Sequence, residues 1–360
     1  MDSTYTRKER NSNIELLRIL TMIYIISHHL VVHGRAVNFF DAQTGINKFC
    51  TIFFNLGGII GINIFYLITG YFQVTKKYFK ISHVLRLWLT VFFYSITICL
   101  IMVGTEMAPF DPVYFLQRLI PILTKQWVFP SDYLVFFMFT PFLNILLNAL
   151  SKTTYIKLLV LMLVTMSIIP TFTLGADMYN SFVWEAFLYS LAGYIRLYTN
   201  PENLSARKYI PIMLAVMVTA TVFCTFIPNI NFFIQYSTIG FALSVLIFVT
   251  FLSINAGQNK AINTVAAATF GVFLIHDDKL MRQFLWNLTF RPDNHATAPD
   301  FVPYCIVVVL IIYTSATIIE LIRIHLLEKH YMPAVEKFSA YLHTKADKLF
   351  STRICKTEEN

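Results

Sequence analysis

The sequence predicts an all-α polytopic membrane protein, with about ten transmembrane helices enclosing a polar cavity and an amphipathic C-terminal helix. Three observations predict it. Hydrophobic residues make up 56% of the chain and charged residues 13%, where a soluble domain carries about 25% charged residues. Apolar runs of about 17–25 residues, enough to cross a bilayer, recur ten times along the chain. Between these runs, Lys and Arg collect on alternate sides, as the positive-inside bias requires.

The first run, 14–32, follows a basic start (Arg7, Lys8, Arg10) but contains Glu15 and Arg18. No small-residue cleavage site follows it, so it reads as a retained span rather than a signal peptide. Runs at 51–72, 84–103 and 131–150 come next, then a short one at 156–172. Those at 181–198, 209–227 and 232–254 complete the middle. The ninth, 264–286, is interrupted by the charged stretch HDDK (276–279), and the tenth covers 301–322. With ten crossings, Lys76, Lys77, Lys80, Arg196, Arg207 and Lys208 share one side with both termini. Arg35, Lys48, Arg118 and Lys125 fall on the other. The bias makes the first side the cytoplasm.

Two parts follow from this reading, a transmembrane domain (1–323) and a cytoplasmic tail (324–360). In the tail, Val335, Phe338, Tyr341, Leu342, Ala346 and Leu349 recur at helical spacing among lysines, the pattern of a helix lying on the inner leaflet. A solvated tail is the plain alternative. The net charge of +8 reflects cytoplasmic loops, so no nucleic-acid partner is expected; membrane lipids are. Cys50, Cys99, Cys224, Cys305 and Cys355 are scattered without a CxxC pair, which argues against a zinc knuckle or a disulfide framework.

The first span carries the chemistry. In RILTMIYIISHHLVVHG (18–34) an arginine and three histidines interrupt an apolar helix. At 100° per residue, Glu15, Arg18, His29 and His33 share one stripe, and His28 lies about 100° away from His29. Ionisable groups in a span face a protein interior or a wet cavity. At 1.5 Å per residue, Arg18 lies about 6 Å inside the cytoplasmic edge and His29 roughly 22 Å in. His276 lies roughly 18 Å into its own span, at a similar depth. Irregular charged backbone at that depth needs protein or water beside it. These residues therefore predict a wet cavity in the outer half, lined by His29, His276, Asp277 and Tyr71. His28 reads equally as a helix-packing residue. His29 and His33 are at i, i+4, but the Glu of HExxH is missing and no third ligand is evident, so no metal is expected.

Several motifs, in order along the chain, carry a resemblance. They are RNSNIELLRILTMIYIISHH (10–29) with its Arg-x10-His spacing, NIFYLITGYF (63–72), RLWLTVFFY from Arg86, DYLVFFMFTPFLN (132–144), LYSLAGYIRLY (188–198) and TFGVFLIHDD (269–278). Together they resemble the acyltransferase family 3 membrane proteins, and within them the capsular and exopolysaccharide O-acetyltransferases. Thr69 stands where Ser is usual in that pattern and keeps the hydroxyl. Phe273 stands where Tyr is common and loses one.

The resemblance implies a bacterial plasma-membrane enzyme for O-acetylation, moving an acyl group from cytoplasmic acyl-CoA to a hydroxyl of a surface polysaccharide or its lipid-linked precursor. Acetyl, from acetyl-CoA, is the default group by resemblance. His29 would be the general base, or alternatively would carry the acyl group transiently. Glu15, Arg18, His28, His276 and Asp277 would support it. Arg18, Lys76, Lys77, Lys80 and Arg86 would hold the phosphates of the donor, although the lysines also serve to orient the loop. Thr69, Tyr71, Asp278 and Trp127 are the acceptor candidates; Trp127 and Trp286 also fit an interfacial aromatic belt. A transporter of a glycan or acyl intermediate is the rival reading, since ten spans and a midplane polar site occur there too.

Overall fold

Polar side chains set where six of the helices begin. Asp111, Ser151, Asn180, Ser237, Asn259 and Asp278 each accept a hydrogen bond from a backbone N–H of the first turn that follows. These are the residue types that satisfy orphan N–H groups at a helix start. The computed structural model describes residues 12–173, 180–226 and 236–357, with side chains as far as Lys345. Arg7, Lys8 and Arg10, the junction of the seventh and eighth runs, and the side chains of Ala346 and Leu349 lie outside them.

Among the described residues there are helices and no strands. They are α1 (Ser12–His33), α2 (Gly45–Gln73), α3 (Ile81–Gly104), the short α4 (Pro112–Leu119), α5 (Val128–Ala149) and α6 (Lys152–Thr173). Then come α7 (Ser181–Tyr198), α8 (Ala206–Phe226), α9 (Thr238–Ser253), α10 (Lys260–Ala267), α11 (Thr269–His276), α12 (Lys279–Arg282) and α13 (Phe301–Arg323). The last is α14 (Lys329–Thr357).

Among the described residues, seven helices are long and apolar enough to cross a membrane. They are α1, α2, α3, α5, α6, α8 and the final helix, which runs unbroken over Phe301–Lys345. Helices also stand at the other three predicted places. Of these, α7 is less apolar, while Thr238–Ser253 and Lys260–His276 are shorter apolar helices. The chain is therefore a polytopic helical membrane protein. No break separates the last span from the tail: a π-helical stretch, Ile324–Glu328, joins α13 to α14.

α1 and α2 form the centre. Their backbones approach closely because α2 presents glycines; a Cβ on Gly58 would lie 2.5 Å from His28 Cδ2. Small residues at such a crossing give van der Waals contact that an apolar solvent cannot supply. Buried amides knit the rest. Asn144 donates to the Gln73 and Lys76 carbonyls and accepts from Tyr189, which ties α5 and α7 to the end of α2. Asn63 accepts from Trp184 and donates to Ser244, which links α2, α7 and α9. A second close approach brings α11 onto α13: a Cβ on Gly271 would lie 2.2 Å from Glu320 Cδ.

The tail helix packs back on α3, where the Ser82 amide donates to Ser339 Oγ at 3.1 Å. Phe338 and Tyr341 of the apolar stripe remain about half exposed.

Candidate active site

The start of α1 and the ends of α2 and α13 meet at one end of the bundle, called proximal here. Between them lies a cavity of about 540 Å³. Its mouth is cationic, with Arg18, Lys76, Arg86, Arg196 and Arg323 in its wall, and its carboxylates are Glu15, Glu320 and Glu328. Arg86 Nη2 pairs with Glu328 Oε1 at 2.6 Å, and Arg323 is shared by Glu320 and Glu328, at 2.7 and 2.6 Å. Arg18 Nε is buried without a hydrogen-bond partner, its nearest carboxylate being Glu15 at 3.9 Å. Deeper in, the wall turns apolar: Met22, Phe65, Phe129, Phe270 and Phe273. The Thr269 hydroxyl there is buried and unpartnered.

Beyond the apolar end lies a cluster of imidazoles. His29 from α1 meets the end of α11, where its Nδ1 lies 2.9 Å from His276 Nε2 and 3.2 Å from Asp277 Oδ1. His33 Nε2 approaches the same carboxylate oxygen at 3.7 Å, and Arg282 Nη2 at 2.7 Å. His276 Nδ1 is 2.6 Å from the Val272 carbonyl, one turn back on its own helix. A carbonyl only accepts, so His276 Nδ1 carries a proton, and the neutral ring presents Nε2 as a lone pair. His29 Nδ1 must then be the donor towards His276 and Asp277. Its Nε2 is left as the basic nitrogen.

The turn that carries His276 and Asp277 is itself clamped. Asp278, fully buried, takes a two-pronged ion pair from the equally buried Arg118 and caps α12 at Leu280 N. The Arg118 guanidinium also donates to Tyr114 OH at 2.6 Å. Arg118 arrives on α4, an element that the span reading passed over as an outer loop. Its signal was present in the sequence only as an arginine among apolar residues.

Several expected positions change. The imidazoles are not in the wall of this cavity: His29 is 9% exposed and His276 wholly buried, and the open space lies proximal to Phe273. Tyr71 belongs to the proximal mouth, not the outer half, because α2 runs back towards that end; Arg196 donates to its hydroxyl at 3.3 Å. Trp127 is buried and donates from Nε1 to the Leu274 carbonyl at 3.2 Å, so it offers no face to a sugar; Trp286 is buried too and belongs to no interfacial belt. Asp278 is consumed by Arg118 and is closed to an acceptor. Lys77 and Lys80 are exposed and outside the cavity wall, unlike Lys76. Glu15 sits with Arg18, a helix length from His29. His28 turns to the Asn55 carbonyl at 2.7 Å and packs on Gly58, the helix-packing alternative. Thr69 donates to the Phe65 carbonyl and meets Tyr133 OH at 3.0 Å.

A third possible metal ligand, which spacing alone did not disclose, is also brought in. His29, His33 and Asp277 offer ligand atoms within 4.8 Å of one another. Arg282 already occupies the Asp277 oxygen that such an ion would need.

Residues 11–319 match the family model described as an acyltransferase domain, the third acyltransferase family. The chain belongs to acyltransferase family 3. No curated protein and no solved structure matches it. Membership makes the chain a membrane acyltransferase and does not favour the transporter reading. In this family 3 chain the Arg-x10-His pair runs from the cavity to the imidazole cluster: Arg18 stands at the cavity mouth, and His29 lies roughly 16 Å further along the helix axis.

Proposed function

We propose that the protein is a membrane O-acetyltransferase of the bacterial plasma membrane. It would take an acyl group, acetyl by resemblance, from cytoplasmic acetyl-CoA and place it on a hydroxyl of a surface polysaccharide or its lipid-linked precursor. The proposal has ten crossings with both termini in the cytoplasm, so the cavity mouth faces the donor's compartment. The C-terminal stripe around Phe338 and Tyr341 would rest on the inner leaflet.

The observation that carries the reading is the contact of His29 Nδ1 with His276 Nε2 and Asp277 Oδ1. With Nδ1–H held by His276 Nε2 and Asp277 Oδ1, Nε2 is free to accept a proton. A neutral imidazole has the pKa range for this task. The acceptor oxygen attacks the thioester carbonyl carbon as His29 Nε2 takes the hydroxyl proton. The new C–O bond forms, the C–S bond breaks, and the proton passes from His29 to the departing sulfur, giving ester and thiol. Asp277 supports the imidazolium that forms in between, and Arg282 and His33 hold Asp277 in place.

The mouth suits a phosphate-bearing donor. Arg18 has a buried, unsatisfied Nε, and Arg forks match phosphate geometry. The apolar wall beyond suits the arm that follows. No metal is needed in this scheme.

The test is the acetyl-ester content of surface polysaccharide in cells carrying the intact gene, a deletion, His29→Ala or Arg18→Ala, at matched membrane levels. His29→Ala should match the deletion. Ester content equal to that of the intact gene would overturn the assignment.

A further inference from the structure

We infer that a collar of Phe273, Phe129, Phe65 and Met22 closes the donor cavity short of His29 and limits the transferred group to two to four carbons. The inference rests on the acyltransferase reading above and adds the residues that set acyl length.

The cavity wall stops at Met22 on α1, seven residues before His29, which is about 10 Å along the axis. On α11 it stops at Phe273, one turn before His276. The Phe273 ring stands edge-on to Phe129, with centroids 5.4 Å apart, and Phe129 meets Phe65 at 5.9 Å. Its other side meets the reaction cluster: the His29 ring is 6.2 Å away, and the His276 ring is 5.8 Å away and nearly perpendicular. Phe273 is thus the partition between donor space and imidazole, and it is 5% exposed.

Reacting atoms must come within about 3–3.5 Å of one another. The thioester carbon therefore has to enter the space that the Phe273 ring now fills. A phenyl ring displaces six heavy atoms. A thioester with an acetyl tail brings four: sulfur, carbonyl carbon, oxygen and methyl. Two more carbons fill that count, but a hexanoyl tail exceeds it, and Met22, His29 and His276 are all buried around the site. Interiors are close-packed, so extra methylenes have nowhere to go without displacing these neighbours.

The experiment uses the full chain in lipid nanodiscs, with polysaccharide from gene-deleted cells as acceptor. Radiolabelled acetyl-CoA and hexanoyl-CoA are compared by label in the polysaccharide and by thiol released. Thermal stabilisation by CoA alone is measured in parallel. Wild-type protein should transfer acetyl at least roughly 100-fold faster than hexanoyl, given the cost of misfit in a packed pocket. Phe273→Ala should raise the hexanoyl-to-acetyl ratio by about tenfold or more. If that variant does not fold, Phe273→Leu and Phe129→Ala test the same wall from less drastic changes.

Wild-type transfer of hexanoyl within threefold of acetyl overturns the collar and leaves the acyltransferase reading standing. So does an unchanged ratio in folded Phe273 and Phe129 variants. Absence of thiol release from either donor overturns the collar, and if CoA also fails to stabilise the protein, the donor reading falls with it.

Discussion

His276 Nε2 lies 2.9 Å from His29 Nδ1, and its own Nδ1 is spent on the Val272 carbonyl. The backbone of α11 therefore dictates, through one intervening ring, which nitrogen of His29 is basic. Removing His276 leaves Asp277 as the sole partner of that N–H. We expect His276→Ala to lower turnover by about tenfold to a hundredfold. His29→Ala should lose about 10²–10⁴, the range for a positioned general base. Turnover of purified protein at matched folding checks both, and equal losses would mean that the two rings act as one unit.

Arg118 and Asp278 form a second pair, one that does no chemistry. Both side chains are buried, so removing one strands the other's charge. Arg118→Leu should cost about 3–5 kcal/mol, and adding Asp278→Asn should recover much of it, because a neutral pair has no stranded charge. Thermal unfolding in detergent measures the cycle.

Gly271 has no room for a methyl group beside Glu320. Gly271→Ala should destabilise the protein by about 1–3 kcal/mol, the usual cost of overpacking. Shortening the neighbour, in Gly271→Ala with Glu320→Ala, relieves the clash but takes from Arg323 one of its two carboxylates, so the double variant should not return to wild-type stability. Unfolding midpoints of the three proteins decide this.

Cavity position separates the basic residues. Arg18→Ala should raise the KM for the donor by about tenfold or more, because a charge-assisted hydrogen bond contributes about 1.5–3 kcal/mol. Lys77→Ala and Lys80→Ala, outside the wall, should leave KM within twofold. Donor titrations of the purified protein provide the comparison.

Chelation tests the other use of the distal cluster. Dialysis against a strong chelator should leave turnover unchanged, since Arg282 rather than a cation holds Asp277. Loss of activity restored by zinc would assign His29, His33 and Asp277 to a metal instead.

Much of this was legible in the chain. The apolar runs fell on helices, and among the described residues seven of these are long and apolar enough to cross a membrane, because a lipid-facing helix must be apolar along its length. The stripe through Glu15, Arg18, His29 and His33 followed from helical geometry alone. The pairing of His29 with His276 was approached only by comparing depths, since α1 and α11 are far apart in sequence. Arg118 was illegible for a different reason. Hydropathy reads it as a loop cation, and only tertiary folding brings α4 to Asp278. Trp127 and Tyr71 were misplaced because periodicity gives a face and a depth but not which neighbour covers it. Tyr71 in addition lies at the returning end of α2.

The final helix runs without a break from Phe301 past the cavity lip, and its side chains reach two places: Glu320 packs against Gly271 before the imidazoles, and Glu328 bridges Arg86 and Arg323. A chain ending at Arg323 would keep the first contact and lose the bridge. Arg86 would lose its carboxylate and Arg323 one of its two, making the entrance more electropositive and less well fixed. Clipping the tail would thus retune anion capture without touching a single atom of the acid–base machinery.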